Sequence, residues 1–274
     1  IGLAKDQPSE SYSLEILIGP SVNRSLLESV LGSSPNALFN CGLPSASPIE
    51  RAMSDAMGGT ALLKLIGQSR DSDTPEGQAL SGRVASAVTQ LVSAAREQGG
   101  WAWSGNPDAK AADPYLSSRV MWALHVARSI GFPVPQATIE KGKAYLQTAF
   151  TETDSSDLER QTVLLHAMAV SKCGDFSLAN RLYRERNRLS LSGLIHLALT
   201  LAEMNHKEMG LEILPLIKIP GGDSQLSAED RDTVLPWMRN VTELQAIYLL
   251  ALQEMDPQNP NVAKMTESLL SARV

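Results

Sequence analysis

Aromatic residues are scarce in this 274-residue sequence, at 5 %, and there are only two cysteines. Sheets are usually filled by aromatic and β-branched side chains, whereas alanine and leucine, which are plentiful here, enter helices at little cost. The shortage of aromatics therefore favours a helical protein over a β-protein. Hydrophobic residues at 43 % and charged residues at 20 % are ordinary for a globular domain.

Groups that hold metals are also sparse. Cys41 and Cys173 are too few for a disulfide framework, and two buried free thiols are favoured over the single bridge that they would allow. The histidines show no His-x-x-x-His spacing and the cysteines no Cys-x-x-Cys spacing, whereas a zinc site needs three or four ligands brought together. We therefore expect neither a metal nor another cofactor.

Runs of basic residues and long apolar stretches are both missing. With a formal net charge of −6 and no Lys/Arg cluster, the chain is a poor partner for nucleic acid or for an anionic membrane surface. No apolar stretch approaches the roughly 20 residues of a membrane-spanning helix. The sequence opens at Ile1 without a signal-peptide layout, and we interpret it as a piece of a longer polypeptide.

The first 20 residues differ in pattern from the rest. Residues 1–13 are polar and are interpreted as a linker, and residues 13–19 (SLEILIG) alternate in the manner of one short strand. A lone strand is not stable by itself, so it either lies as an extended arm on the helices or pairs with a sheet elsewhere in a longer chain. The domain itself is expected at residues 21–274.

Helical periodicity, with its start and stop signals, fills that domain. Ser47 followed by Pro48 and Glu50 is the pattern of a helix start with a capping box, and Ser156 with Glu159 repeats it. Helices are predicted at residues 22–31, 48–66, 75–97, 114–130, 136–150, 156–172, 176–186, 190–204, 206–218, 228–238, 241–255 and 260–272.

The predicted helices alternate in how much of their surface is apolar. Residues 114–130, 189–201 and 241–252 are apolar nearly all round, as in buried helices, whereas helices between and beyond them, such as 136–150 and 260–272, carry a single stripe. This alternation predicts an α/α toroid with an inner and an outer ring, the architecture of terpenoid cyclases. An α-solenoid is the alternative, but the uneven spacing and the lack of a repeat signature favour the toroid.

Three stretches match patterns of one known family. Residues 47–54 (SPIERAMS) are similar to a helix start of the form Gly-Cys-(Thr/Val)-Glu-Gln-Thr-Met-Ser. Residues 99–135 hold GGWAW, DPYL and GFPVP, in the order of a Gly-Gly-Trp-Trp loop, an Asp-Pro-Tyr-Leu helix start and a Gly-Phe-Pro-Val-Pro connector. Residues 182–190 (LYRERNRLS) are similar to Leu-Tyr-Glu-Glu-Arg-x-x-Leu-Ser. Together they resemble the thioester domain of bacterial α2-macroglobulins, from about residue 13 to the end.

This resemblance implies a helical toroid in a protein that entraps peptidases by changing conformation after a bait region is cut. It implies a periplasmic or other extracytoplasmic location, and partners that are the neighbouring domains of a parent chain and, through that chain, peptidases. The family ring carries one more helical hairpin than this sequence. We expect the helices at 22–31 and 228–238 to fill the gap; an open ring is the alternative.

The cysteine and the glutamine that form the thioester in the family are missing from the matching positions of this sequence. An internal thioester needs a cysteine thiol and a glutamine amide three residues later, whereas matching Glu50 to the family pattern places Pro48 at the cysteine and Arg51 at the glutamine. Neither cysteine of the chain has a glutamine three residues on. We expect that no thioester forms and that Ser47 caps a plain helix start, with its hydroxyl on the Glu50 N–H and the Met53 face turned inward.

Three further residues are candidates for function beside a structural interpretation. His166 lies on a helix that looks buried, as a core histidine or as a remnant of the histidine that tunes thioester attack in vertebrate relatives. Trp101 and Trp103 lie in a glycine-rich loop, which they either pin by packing or, if exposed together, offer to a neighbouring domain.

The alternative function is a toroidal enzyme acting on a polysaccharide or an isoprenoid. Residues 98–101 (QGGW) resemble the Gln-Trp repeats of triterpene cyclases, but the Asp-x-Asp-Asp run that protonates substrate there is absent. Paired carboxylates of a glycosidase can be distant in sequence, and Asp113, Glu159 and Glu243 at helix starts are the candidates. An enzyme needs an open ring centre with facing carboxylates. The favoured function is a non-catalytic scaffold and interaction domain of an α2-macroglobulin-like protein.

Overall fold

The computed structural model describes residues 47–67, 74–219 and 241–271. In these ranges the chain forms α-helices, two short 3₁₀ helices and no strand, which confirms the all-α prediction. The α-helices are α1 (Pro48–Gly67), α2 (Pro75–Ser93), α3 (Pro114–Ser129), α4 (Gln136–Glu152), α5 (Leu158–Val170), α6 (Phe176–Arg184), α7 (Leu191–Glu203), α8 (Lys207–Ile213), α9 (Val241–Met255) and α10 (Pro260–Ser271). The 3₁₀ helices are Arg186–Arg188 and Leu214–Leu216.

Several predicted features lie outside the described residues. These are the linker and strand within residues 1–20 and the helices at 22–31 and 228–238. The domain boundaries therefore stay predictions. Cys41 also lies outside the described part, whereas Cys173 is a half-buried free thiol.

Most helices begin at a side chain that accepts a hydrogen bond from the first turn. Thr74 accepts from Gly77 N at 3.2 Å, and Asp113 accepts from Leu116 N at 2.8 Å. The caps of α5, α6 and α7 are Asp157, Asp175 and Ser190. Such a cap contributes about 1 kcal/mol because it satisfies an amide that the helix itself leaves unpaired. The local sequence is therefore sufficient to fix where these helices start.

The start of α5 differs from the prediction. Ser156 does not cap it; the Ser156 backbone N–H and hydroxyl both donate to the Asp154 carboxylate, at 2.8 and 2.6 Å. Asp157 takes the cap position instead and accepts from Arg160 N at 3.1 Å. The predicted capping box of Ser156 and Glu159 is therefore wrong, and Glu159 is available for another partner.

The described helices form two layers that follow the chain in turn. In the inner row α1 packs on α3, α3 on α5, α5 on α7 and α7 on α9. The outer helices α2, α4, α6 and α8 each lie against two successive inner helices, and α10 packs on α9. This is the alternation of buried and half-buried helices that the apolar patterns predict.

The distribution of burial differs from the prediction at one helix. Helix α5, which carries His166, is buried along nearly its whole length as predicted, whereas α9 buries only Leu244, Ala251, Leu252 and Met255 among the described residues. The apolar stretch at residues 241–252 is therefore not buried all round. Helices α3 and α7 are buried as predicted.

The inner row bends back on itself. Arg119 Nη2 of α3 lies 2.9 Å from Glu243 Oε1 of α9, although three inner-row packing steps separate these helices. With neighbouring helix axes 8–10 Å apart, a straight row would separate α3 and α9 by more than about 24 Å, which an ion pair cannot span. A straight solenoid is thus excluded for the described part, and closure into a full toroid stays a prediction.

None of the described helices combines the length and the apolar character that crossing a membrane requires.

Candidate functional site

The N-terminus of α1 is the place where the resemblance expects a thioester, and the structure gives it an ordinary helix start. The Ser47 hydroxyl accepts from Ile49 N at 3.2 Å, and the Ser47 carbonyl accepts from Arg51 N at 3.0 Å. The bond was expected at the Glu50 N–H, one residue further on. Met53 is 1 % exposed and faces the core, as predicted.

The first turn of α1 is held against the loop that precedes α3. The Ser47 hydroxyl donates to the Trp103 carbonyl at 2.5 Å, and this second bond orients the hydroxyl toward Ile49 rather than Glu50. Gln90 Nε2 of α2 donates to the Pro48 carbonyl at 3.4 Å. The turn is therefore bonded from two sides by neighbouring elements.

Trp101 and Trp103 have different environments, although both were predicted as a possible contact with a neighbouring domain. The Trp101 side chain is fully buried, and its indole N–H donates to the Leu91 carbonyl at 2.7 Å. Its backbone N–H donates to Ser117 Oγ at 2.9 Å. Trp103 is 36 % exposed. Trp101 thus anchors the loop in the core, and of the two only Trp103 offers surface to a partner.

The two glycines before Trp101 allow the loop to approach the helices closely. Gly99 and Gly100 have φ angles of 87° and 76°, in the left-handed region that side chains disfavour. A Cβ on Gly99 would lie 2.3 Å from the Lys141 carbonyl oxygen, and one on Gly100 would lie 2.7 Å from Ala112 Cβ. The motif therefore serves packing of this loop on α4.

Charged groups gather where α1, α3 and α9 approach one another. The Arg119 guanidinium pairs with Glu243, and both side chains are only partly exposed. Burial raises the pKa of the Glu243 carboxyl, the nearby Glu50 carboxylate raises it further, and Arg119 opposes both effects. Glu50, in the first turn of α1, therefore acts electrostatically on an ion pair that joins two inner helices.

The three carboxylates predicted for an enzyme each have a separate structural partner. Asp113 caps α3, and Glu243 pairs with Arg119. Glu159 accepts from the Ser190 backbone N–H at 2.6 Å and from the Ser190 hydroxyl at 2.7 Å. A carboxylate at a helix N-terminus is stabilised by the unpaired amides there, so Glu159 of α5 fastens the start of α7. Each of the three carboxylates is thus engaged in a structural contact.

His166 is a buried histidine, and its partner was not predicted. His166 Nδ1 of α5 lies 3.2 Å from His196 Nδ1 of α7, and the two rings are 3 % and 4 % exposed. The Trp122 ring of α3 and the His166 ring form a T-shaped pair, with ring centroids 4.7 Å apart. Only the helical spacing of each residue is visible in the sequence, so nothing there pairs two histidines 30 residues apart.

Burial governs the protonation of both rings. It lowers the pKa of His166 to about 3. It also lowers the pKa of His196 well below its ordinary value, with smaller contributions from His166 and from Arg119. Both imidazoles are therefore neutral near pH 7. Within the described ranges no group of three or more His, Cys, Asp or Glu side chains is arranged to hold a metal ion.

A bent double row of this kind, inner helices alternating with outer ones, is found in bacterial α2-macroglobulins. The crystal structure of native Escherichia coli α2-macroglobulin from domain MG7 to the C-terminus matches with a TM-score of 0.65 and 18 % identity, over 93 % of this chain and 39 % of that one. The native E. coli protein solved by cryo-EM matches with a TM-score of 0.64 and 17 % identity, over 90 % of this chain and 15 % of that one. The crystal structure of Salmonella α2-macroglobulin reacted with methylamine matches with a TM-score of 0.60 and 19 % identity, over 91 % of this chain and 16 % of that one.

The TM-scores show a shared fold, whereas identities this low carry no information about function, so the chemistry of the chain has to be argued from its own residues. The chain spans less than two fifths of each of the three solved chains. No protein-family model and no curated relative matches the sequence. The shared fold agrees with the one that the motif resemblance implies.

Proposed function

We propose that this chain is a non-catalytic scaffold and interaction domain of an α2-macroglobulin-like protein, which forms no thioester and captures no prey covalently. One observation carries the proposal: the first turn of α1, where the family pattern expects cysteine and glutamine, holds Pro48 and Arg51 in a regular, capped helix. The shared fold with bacterial α2-macroglobulins supports the family part of the proposal.

Pro48 and Arg51 lack the functional groups that thioester formation requires. A thioester joins a thiol sulfur to the acyl carbon of a glutamine side chain, but the proline ring offers no nucleophile and a guanidinium is not an acyl donor. The adjacent nucleophile, the Ser47 hydroxyl, is already bonded to Ile49 N and to the Trp103 carbonyl. The turn therefore stabilises the domain and does not react.

The remaining function is mechanical and depends on the longer chain. One solved neighbour is E. coli α2-macroglobulin activated by porcine elastase. By analogy the domain packs against neighbouring domains of an extracytoplasmic parent protein, with Trp103 as one contact, and takes part in peptidase trapping only through that protein. Trp103 is suited to this role because its carbonyl is fixed by Ser47 while its ring is partly exposed.

Covalent capture tests the proposal. The 274-residue chain is incubated with porcine elastase and separated under denaturing conditions, beside an α2-macroglobulin that carries Cys-x-x-Gln as the positive control. We expect a conjugate with the control and none with this chain. A conjugate of this chain that survives denaturation, and in which mass spectrometry finds a side-chain acyl group of the chain joined to a lysine amine of elastase, would show that an acyl donor exists and would overturn the proposal.

A further inference from the structure

The contact between His166 and His196 serves neither the helix start of α1 nor the proposed docking surface. It lies in the core between α5 and α7, the two most deeply buried helices of the described part. A pair of apolar side chains would fill this position without any polar group to satisfy. The two histidines therefore give this position a hydrogen bond between titratable groups, which packing alone does not require.

We propose that the His166–His196 contact is an acid-sensitive latch, which holds α5 against α7 near neutral pH and releases them when both imidazoles are protonated. At 3.2 Å one Nδ1–H donates to the other Nδ1, which requires that at least one of the two facing nitrogens is unprotonated. A single proton added to the pair leaves that bond in place. When both rings are imidazolium, two N–H groups face each other and two positive charges are buried.

Among residues 47–67, 74–219 and 241–271, no acid contributes to the pKa of either ring. The charged group that acts on His196 from α3 is Arg119, which is itself positive. Glu243 of α9 is paired with Arg119, and Glu159, which also lies between α5 and α7, is bound to Ser190. Trp122, the aromatic neighbour of His166, carries no charge. Burial is the cause of the lowered His166 pKa. The core therefore favours the neutral form of both imidazoles over the protonated form.

The sign of the pH effect follows from the lowered pKa values. Between the ordinary histidine pKa of about 6.5 and the lower values in the fold, the unfolded or opened chain binds protons that the folded chain excludes. The stabilisation is complete above pH 6.5 and is lost as the pH falls. Each histidine changes the folding equilibrium by up to about tenfold for each pH unit in this window.

Other buried acids act in the opposite sense. The pKa of Glu159 is raised mainly by burial, and burial together with Glu50 raises that of Glu243. The folded chain therefore takes up these protons before the unfolded chain does, which favours the fold on acidification. A comparison of variants that leave both carboxyls in place separates the histidine effect from theirs.

Urea unfolding at a series of pH values from 7.5 to 5 tests the latch. The double variant His166→Asn/His196→Asn places amide atoms near the former Nδ1 positions and removes both titrations. We expect the folding equilibrium constant of the unsubstituted chain to fall relative to this variant by up to about a hundredfold for each pH unit below 6.5. His206→Asn is the control, because His206 stacks on Phe176 away from the pair, and it should behave as the unsubstituted chain does.

Equal pH dependence of the unsubstituted chain and the double variant would overturn the latch. If the double variant does not fold, NMR of the imidazole nitrogens in the unsubstituted chain decides. We expect both rings to stay neutral in the folded chain from pH 7.5 to 5, with a proton on one of the two facing Nδ1 atoms. A ring of this pair that becomes protonated near pH 6.5 while the chain stays folded would contradict the proposal.

Discussion

Trp101 and Trp103 are separated by one alanine, yet they contribute in different ways to the fold. Trp101 lies inside the core and its indole N–H donates to the Leu91 carbonyl, whereas Trp103 keeps 36 % of its surface exposed. The sequence predicts a loop rich in glycine and tryptophan but not which ring is inside. That choice depends on α2 and α3, which supply Leu91 and Ser117.

A matched pair of substitutions measures this difference. Trp101→Phe removes the indole N–H and part of the buried volume, and we expect a loss of about 2–3 kcal/mol in the free energy of unfolding. Trp103→Phe keeps an aromatic ring at a partly exposed position and should change it by about 0.5 kcal/mol or less. Chemical denaturation of both variants checks this. Equal losses would mean that the loop is anchored elsewhere.

At the scale of helices, most starts and the burial of α3, α5 and α7 were predictable, whereas the partial exposure of α9 and the partners of buried polar residues were not. Caps are local, so Thr74 and Asp113 could be identified from sequence, whereas at α5 the cap is Asp157, one residue after the predicted Ser156. The burial of α5 depends on distant partners. Gln161 accepts from Arg181, and His166 contacts His196, so the buried polar residues of this helix have hydrogen-bond partners that the sequence does not reveal.

Two neighbouring glycines of α1 provide a test of helix packing. Gly58 has open space at its Cβ position, so Gly58→Ala should stabilise the chain by about 0.5–1 kcal/mol through helix propensity. A Cβ on Gly59 would lie 2.4 Å from Val84 Cγ2 of α2, and the stiff valine cannot turn aside easily. Gly59→Ala should therefore cost about 1–2 kcal/mol. Thermal or urea unfolding measures both, and stabilisation by Gly59→Ala would show that α1 and α2 are less closely packed.

At the scale of the whole molecule, apolar patterning predicted the alternation of inner and outer helices but not the contact that bends the row. Arg119 and Glu243 are 124 residues apart, and no pattern in the sequence pairs them. The same bend brings the Glu50 carboxylate within electrostatic range of Glu243, whose pKa it raises. Whether the remaining segments complete a ring stays a prediction.

The central claim is that this domain is built around a turn that no longer reacts. Methylamine tests it most directly, because this small amine opens a thioester, adds to the glutamine side chain and releases one thiol. The chain is treated with methylamine, its intact mass is measured, and its thiols are titrated in denaturant before and after treatment. We predict an unchanged mass and an unchanged thiol count, with Salmonella α2-macroglobulin, which has been solved after reaction with methylamine, as the reactive control. A stoichiometric methylamine adduct accompanied by one new thiol would contradict the account.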